Sequence, residues 1–240
     1  MPIDFSHLAI VIVTHHRPEW LTETAAAWQR TAPDYRRMIV LVTHPQGADG
    51  FEPPPRCDVV QTGRPPEHHG CLAKSWNLGM LWGFRDPAVE WLLCSQDDVH
   101  VLPGWPELVA SRDADLYSAP VGDTIFLFNR TILRQVGWFD ERFVVIGYQE
   151  WDWQARVLRA VGKDRVVIED GHGWDHNPVG LCERWLQGRS TTLRRKDESH
   201  RSFNKCWLAE KWGIDENAMI GELKGGSPSP PKVPEIEWYP

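Results

Sequence analysis

Leu8-Ala9-Ile10-Val11-Ile12-Val13, running into Thr14-His15-His16-Arg17 and then Pro18, is the stretch that decides the fold. An unbroken apolar, largely β-branched run marks a strand buried on both faces, as in parallel sheets. Pro18 suits the first turn of a helix, where its missing N–H would have no helical partner anyway. The expectation is a strand over 8–13 and a helix over 18–30. Reading outward, 38–43 is a second buried strand, 47–56 a Gly/Pro loop and 59–60 a short third strand. A loop over 63–70, a helix over 71–84 and a strand over 90–95 follow. This β-α-β-(β)-α-β alternation predicts a mostly parallel central sheet flanked by helices, an α/β Rossmann-like architecture. Such sheets bind ligands beyond the carboxyl ends of their strands. Residues 14–17, Thr43-His44 and 96–98 all fall at those ends.

Two segments carry carboxylates where chemistry could use them. Trp91-Leu92-Leu93-Cys94-Ser95-Gln96-Asp97-Asp98-Val99 is an apolar strand tipped by paired acids, a common way to offer oxygen ligands to a hard cation. Val136-Gly137-Trp138-Phe139-Asp140-Glu141-Arg142-Phe143 leads through a Gly-hinged turn to Gly147-Tyr148-Gln149-Glu150-Trp151-Asp152-Trp153. A helix is expected over 150–161, and acids in its first turn are stabilised by free N–H groups and the macrodipole. Asp152 has a local alternative partner in Arg156, one turn on.

The remaining pattern is less regular. A short helix follows Gly104-Trp105, 116–119 and 123–128 read as strands, and a helix starts at Thr131. A strand over 165–169 and a helix over 202–212 come next. Gly225-Gly226-Ser227-Pro228-Ser229-Pro230-Pro231 reads as a linker or extended tail. The expected organisation is a single domain over 1–224, divided near residue 105 into a nucleotide-binding half and an acceptor-binding half, with a Pro-rich tail over 225–240.

At 240 residues with 42% hydrophobic content the chain can bury a substantial core. A net charge of −7 argues against a broad nucleic-acid surface. The local basic patch is Arg189, Arg194, Arg195, Lys196 and Arg201, either a solvated loop or a mobile one that closes over diphosphate. Five scattered cysteines without a C-x-x-C pair disfavour a disulfide framework or structural zinc, and fit reduced thiols in a cytoplasmic protein. No secretory signal pattern or membrane-length apolar run is visible; peripheral membrane contact stays open. Fourteen tryptophans are unusual, and some could face sugar rings.

Four segments in order resemble the GT-A-fold glycosyltransferases, specifically the family-2-like inverting enzymes. They are the strand with Thr14-His15-His16-Arg17; Lys74-Ser75-Trp76-Asn77-Leu78-Gly79; 96–105 from Gln96-Asp97-Asp98 to Gly104-Trp105; and Gly137-Trp138-Phe139-Asp140-Glu141 with Glu150-x-Asp152. The resemblance covers roughly residues 8–176. It implies that Asp98 matches the metal-ligating acid of an Asp-x-Asp motif, with Gln96 replacing the first acid and Asp97 beside it. It implies Mn²⁺ or Mg²⁺, with His172 or His176 as a further ligand. Thr14, Arg17 and Thr43 lie where relatives hold the nucleoside, Gln96 could reach the ribose, and Lys74 and Asn77 lie on one helix face near the expected diphosphate. Glu150 falls at the catalytic-base position, with Asp152 positioning the acceptor. Trp151, Trp153 and Trp174 flank these acids.

The implied reaction is metal-assisted, inverting transfer of a sugar from a nucleotide-diphosphate donor to a hydroxyl of a glycan, lipid-linked or other acceptor. Two alternatives remain open at this stage. One is a catalytically inactive nucleotide-sugar or glycan-binding protein, since Gln96 and Gln149 stand where relatives usually carry acids. The other is a sugar nucleotidyltransferase, although residues 14–17 lack the Gly-rich basic loop that activity would favour.

Overall fold

The computed structural model describes residues 3–15, 18–44, 46–62, 71–101, 103–118, 125–168, 182–184, 199–236 and 239. Arg17, His172, Trp174, His176 and residues 189–198 of the basic stretch lie outside them. The strands are β1 (Leu8–Thr14), β2 (Arg37–Val42), β3 (Cys57–Gln61), β4 (Trp91–Gln96), β5 (Val99–Val101), β6 (Leu116–Ser118), β7 (Ile125–Asn129), β8 (Val166–Ile168) and β9 (Cys182–Arg184). The helices are α1 (Pro18–Thr31), α2 (Leu72–Gly83), α3 (Trp105–Ala110), α4 (Arg130–Val136), α5 (Gln149–Val161), α6 (Ser199–Trp212) and α7 (Glu216–Gly225).

Seven strands form one sheet in the order β3-β2-β1-β4-β7-β6-β8, and β5 pairs with β9 in a separate ladder. β1 is parallel to both β2 and β4, β2 to β3 and β6 to β8; within the described seven-stranded sheet β7 alone runs antiparallel to its neighbours, and the β5–β9 ladder is antiparallel as well. The carboxyl ends of β1, β2, β3, β4, β6 and β8 therefore share one edge of the sheet.

β1 shows why the sequence folds this way. All seven residues are buried, and alternate side chains enter opposite layers. Leu8, Ile10 and Ile12 pack with Leu21, Ala25 and Trp28 of α1 and Trp105 of α3. Ala9, Val11 and Val13 pack with Trp76 and Met80 of α2, Ile132 of α4 and Trp153 and Val157 of α5. α2 sits close to the sheet because of glycine: a Cβ at Gly79 would lie 2.6 Å from Val11 Cγ1. Any larger residue there would push the helix off the strands.

The tryptophans serve mainly as core. Trp28, Trp76, Trp105, Trp153 and Trp212 are among the largest fully buried side chains. Two of the buried indoles are tied by hydrogen bonds across the core: Trp28 Nε1 donates to Ser95 Oγ (3.1 Å), and Trp105 Nε1 to Thr31 Oγ1 (2.8 Å). Trp153 stacks on Phe139 at 5.1 Å and 11°, so it is a packing residue.

The carboxyl-terminal region differs from the sequence expectation. Asp215 caps α7 by accepting from Ala218 N (2.9 Å), and Gly226 closes it in the left-handed conformation at φ 70°. The Gly-Gly pair therefore ends a helix before the chain becomes irregular. The irregular tail lies against the body, with Lys232 N and Val233 N both bonded to Lys211 O. No helix among the described residues is long and apolar enough to cross a membrane.

Candidate active site at the carboxyl edge of the sheet

The ends of β1, β2 and β4 are tied together by hydroxyl side chains. Register places Thr14 opposite Val42, and Val13 opposite Gln96. Thr43 donates through its backbone N–H and its Oγ1 to Thr14 O, each at 2.9 Å. Thr14 Oγ1 donates to Asp97 Oδ2 at 2.6 Å, and Thr24 Oγ1 of α1 donates to Asp97 O at 2.8 Å. His15 Nδ1 lies 2.9 Å from Thr43 Oγ1, and the His15 and His44 rings meet edge-on at 5.3 Å. Gln96 and Asp97 are half-buried, whereas Asp98 is only 6% exposed. Thr14, Thr43, Gln96, Asp97 and Asp98 thus gather at one edge, as the strand pattern predicts.

Lys74 and Asn77 do not share a surface. Lys74 is exposed, while Asn77 is fully enclosed. Asn77 Oδ1 accepts from Phe139 N (2.8 Å), and its Nδ2 donates to Phe139 O and Glu141 Oε1, both at 2.9 Å. Its amide is spent on bracing the Phe139-Asp140-Glu141 turn against α2.

α5 delivers its first turn to the same edge. Gln154 Nε2 donates to Ser118 Oγ at the end of β6 (3.0 Å), and the helix exits through Gly162 into β8. α5 consequently runs antiparallel to β6 and β8, and Gln149 and Glu150 begin it at their carboxyl ends. Glu150 is half-buried there, in the first turn of the helix.

Asp152 lies on the inner face of that helix, fully buried. Arg156 Nε and Nη2 reach its Oδ2 at 3.1 and 3.0 Å, Trp212 Nε1 reaches Oδ1 at 2.9 Å, and Lys211 Nζ reaches Oδ1 at 2.6 Å. Lys211, itself fully buried, also contacts Asp140 Oδ2 and Glu235 Oε1, each at 2.8 Å. Three carboxylates, Asp140, Asp152 and Glu235, have oxygens within 4.8 Å of one another, a spacing that could suit a metal ion. The ammonium group of Lys211 fills that position, giving one N–H to each carboxylate. Arg142 and Arg156 supply two more cations, so the charges balance. This is an ion cluster joining the 140–142 turn, α5, α6 and the tail.

Lys211, Glu235 and Asn204 (which bonds the loop before α5) escaped the sequence reading. Lys211 carried one usable signal: it sits among Trp207, Leu208 and Trp212 on an otherwise apolar stripe of α6, where an unpaired lysine would be costly.

The cluster has a pH consequence. Burial pushes the Asp140 carboxyl up, but hydrogen bonds from Arg142 and the charge and hydrogen bond of Lys211 outweigh it, leaving Asp140 at about 2. A folded pKa below the unfolded one gives stability that is complete above the unfolded value near 3.8 and lost as pH falls through about 2. The expected contribution is about 2 kcal/mol. Urea melts of wild type and Asp140→Asn should therefore converge between pH 4 and pH 2; a constant difference across that window would remove the assignment.

No protein-family model matches this sequence, and no curated protein matches it. Solved structures do resemble its fold. A mannosyltransferase from Pyrobaculum calidifontis, solved with GDP-mannose and Mn²⁺, superposes with a TM-score of 0.54 at 13% identity, covering 91% of this chain and 68% of that one. GalNAc-T7 with UDP, GalNAc and Mn²⁺ gives 0.56 at 12% identity, covering 90% of this chain and 49% of its own. Glucosyl-3-phosphoglycerate synthase from Mycobacterium tuberculosis, with Mn²⁺, UDP-glucose and phosphoglyceric acid, gives 0.52 at 10%, covering 87% and 80%. Together with the sheet order and the acid-tipped β4, these likenesses establish that the chain has the GT-A glycosyltransferase fold.

Proposed function

We propose that the protein is an inverting glycosyltransferase that moves a sugar from a nucleotide-diphosphate donor to an acceptor hydroxyl. The observation that carries this is the convergence, on one edge of a GT-A sheet, of an acid-tipped strand (Asp97, Asp98) and the carboxylate-bearing N-terminus of α5 (Glu150). In the reaction Glu150 takes the acceptor hydroxyl proton as the oxygen attacks the anomeric carbon. The bond to the diphosphate breaks on the opposite face, and the nucleoside diphosphate leaves. Single displacement of this kind inverts the anomeric centre. A double displacement would call for a second carboxylate beside the anomeric carbon, and the nearby Asp152 is committed to Arg156, Trp212 and Lys211.

Divalent metal fits this edge. Gln96, Asp97 and Asp98 offer the all-oxygen donor set a hard cation takes, whereas the other carboxylate group, around Asp140, already holds Lys211. Asp98, with Asp97 adjacent, would hold Mn²⁺ or Mg²⁺; His172 and His176 are the proposed further candidates. The metal would neutralise charge on the departing diphosphate. Thr14, Thr43, Gln96 and Arg17 are the proposed nucleoside contacts, and Lys74 a diphosphate contact. Cys57, Cys94 and Cys206 are free thiols, which supports a cytoplasmic setting.

A screen of nucleotide sugars with Mn²⁺, read by thermal stabilisation and by transfer, tests the proposal. A donor at a hundredfold its Kd should add about 2.7 kcal/mol to stability. Binding with no turnover on any acceptor would leave a nucleotide-sugar-binding protein instead. Asp98→Asn keeps an oxygen in place but loses the charge, so Mn²⁺-dependent donor binding should weaken at least tenfold, about 1.4 kcal/mol. Wild-type affinity by calorimetry would make Asp98 a turn residue.

A further inference from the structure

The loop entering α5 is held in a conformation its sequence does not favour. Val145 has φ 58°, Gly147 φ 102° and Tyr148 φ 70°. Positive φ is sterically unfavourable for non-glycine residues and most of all for a β-branched one. Such a loop persists only where its surroundings over-determine it.

Asn204 of α6 provides most of that determination. Its side chain is fully buried. Oδ1 accepts from Val144 N at 2.8 Å, and Nδ2 donates to Val144 O at 2.7 Å, to Gly147 O at 3.0 Å and to Ile146 O at 3.3 Å. The amide thus pairs with Val144 as a neighbouring peptide group would, and spans the turn to Gly147. From the start of α2, Leu72 N donates to Val145 O at 2.8 Å, and Cys71 Sγ to Phe143 O at 3.1 Å. Three residues after Gly147 comes Glu150.

We infer that Asn204 is a positioning residue: by clamping the 144–147 loop in its positive-φ form, it aims the first turn of α5 and hence Glu150 at the acceptor. This rests on Glu150 being the base. Asparagine is required because the loop presents one donor and three acceptors to one side chain. Aspartate would set a second lone-pair oxygen against three carbonyls, and leucine would satisfy none of them.

The test uses Asn204→Ala, the double variant Asn204→Ala with Val145→Gly, and Glu150→Gln, all in the full chain. Hydrogen exchange in Asn204→Ala should accelerate at least tenfold at amides 144–150 and stay unchanged in β1, β2 and β4. Wild-type exchange at 144–150 overturns the inference whether or not the protein transfers sugar. With UDP-glucose or GDP-mannose, whichever the wild type turns over, Asn204→Ala should keep donor affinity and lose about 10²-fold in kcat, the scale of a 1 Å misplacement. Glycine adopts positive φ freely, so Val145→Gly should restore kcat to within about tenfold of wild type. A kcat that falls only in step with a lowered melting temperature, without rescue by glycine, marks Asn204 as a general packing residue and overturns the inference. Unimpaired transfer by Glu150→Gln would instead refute the base assignment, with the exchange result still judging the clamp.

Discussion

Glu150→Gln should bind donor and Mn²⁺ as the wild type does and lose sugar transfer by a factor of about 10²–10⁴, the usual value of general-base assistance. Glutamine keeps the length and the hydrogen-bonding reach of the side chain but cannot take a proton. Glu150→Asp should retain partial activity, because the shorter acid still carries a basic oxygen at the helix N-terminus. The comparison with Asp152 gives the result its meaning. Asp152→Asn should lower stability, since it withdraws a charge from Lys211 and Arg156 inside the core; any loss of transfer should track the fraction unfolded. Steady-state kinetics beside thermal melts would separate the two. Near wild-type transfer by Glu150→Gln, with a folded but inactive Asp152→Asn, would reverse the roles.

The distinction between these two acids shows what the sequence could and could not reveal. Both lie in the first turn of one helix, and the fold that brings them to the carboxyl edge was legible upstream. Strands buried on both faces write unbroken apolar runs, as at 8–13 and 38–43, and Pro18 marks the start of α1. The acids at the end of β4 follow from the same pattern. Which way each acid of α5 faces depends on partners far along the chain. Lys211 lies 71 residues from Asp140 and 59 from Asp152, and Glu235 comes from a segment whose composition reads as a linker or extended tail. Such pairings leave no local periodicity. α7 is a different case: Asp215 and Gly226 are ordinary capping signals, legible in principle and hidden by the Gly/Pro-rich run that follows. The short β5–β9 ladder, with three residues on each side, offers too little pattern to read.

Lys211→Met should be the most destabilising single substitution, because it removes the cation at the centre of the cluster and leaves its carboxylates facing one another. Breaking a buried ion pair by removing one partner costs about 3–5 kcal/mol, which in a chain of this size lowers the melting temperature on the order of 10 °C. Arg142 remains to pair Asp140, and Arg156 to pair Asp152 and, at 3.4 Å, Glu235, so the loss is partial and falls on the three inward oxygens that Lys211 contacts, Asp140 Oδ2, Asp152 Oδ1 and Glu235 Oε1. Two consequences separate this account from simple loss of packing. Adding Glu235→Gln should recover part of the stability, since it removes the excess negative charge, whereas a packing defect would be indifferent to it. Lys211→Ala opens a space among three carboxylates whose oxygens lie within 4.8 Å of one another, so Mn²⁺ should stabilise that variant beyond its effect on wild type. Equal metal response in both proteins, with no recovery from Glu235→Gln, would mean that Lys211 matters for its methylene stem rather than its charge.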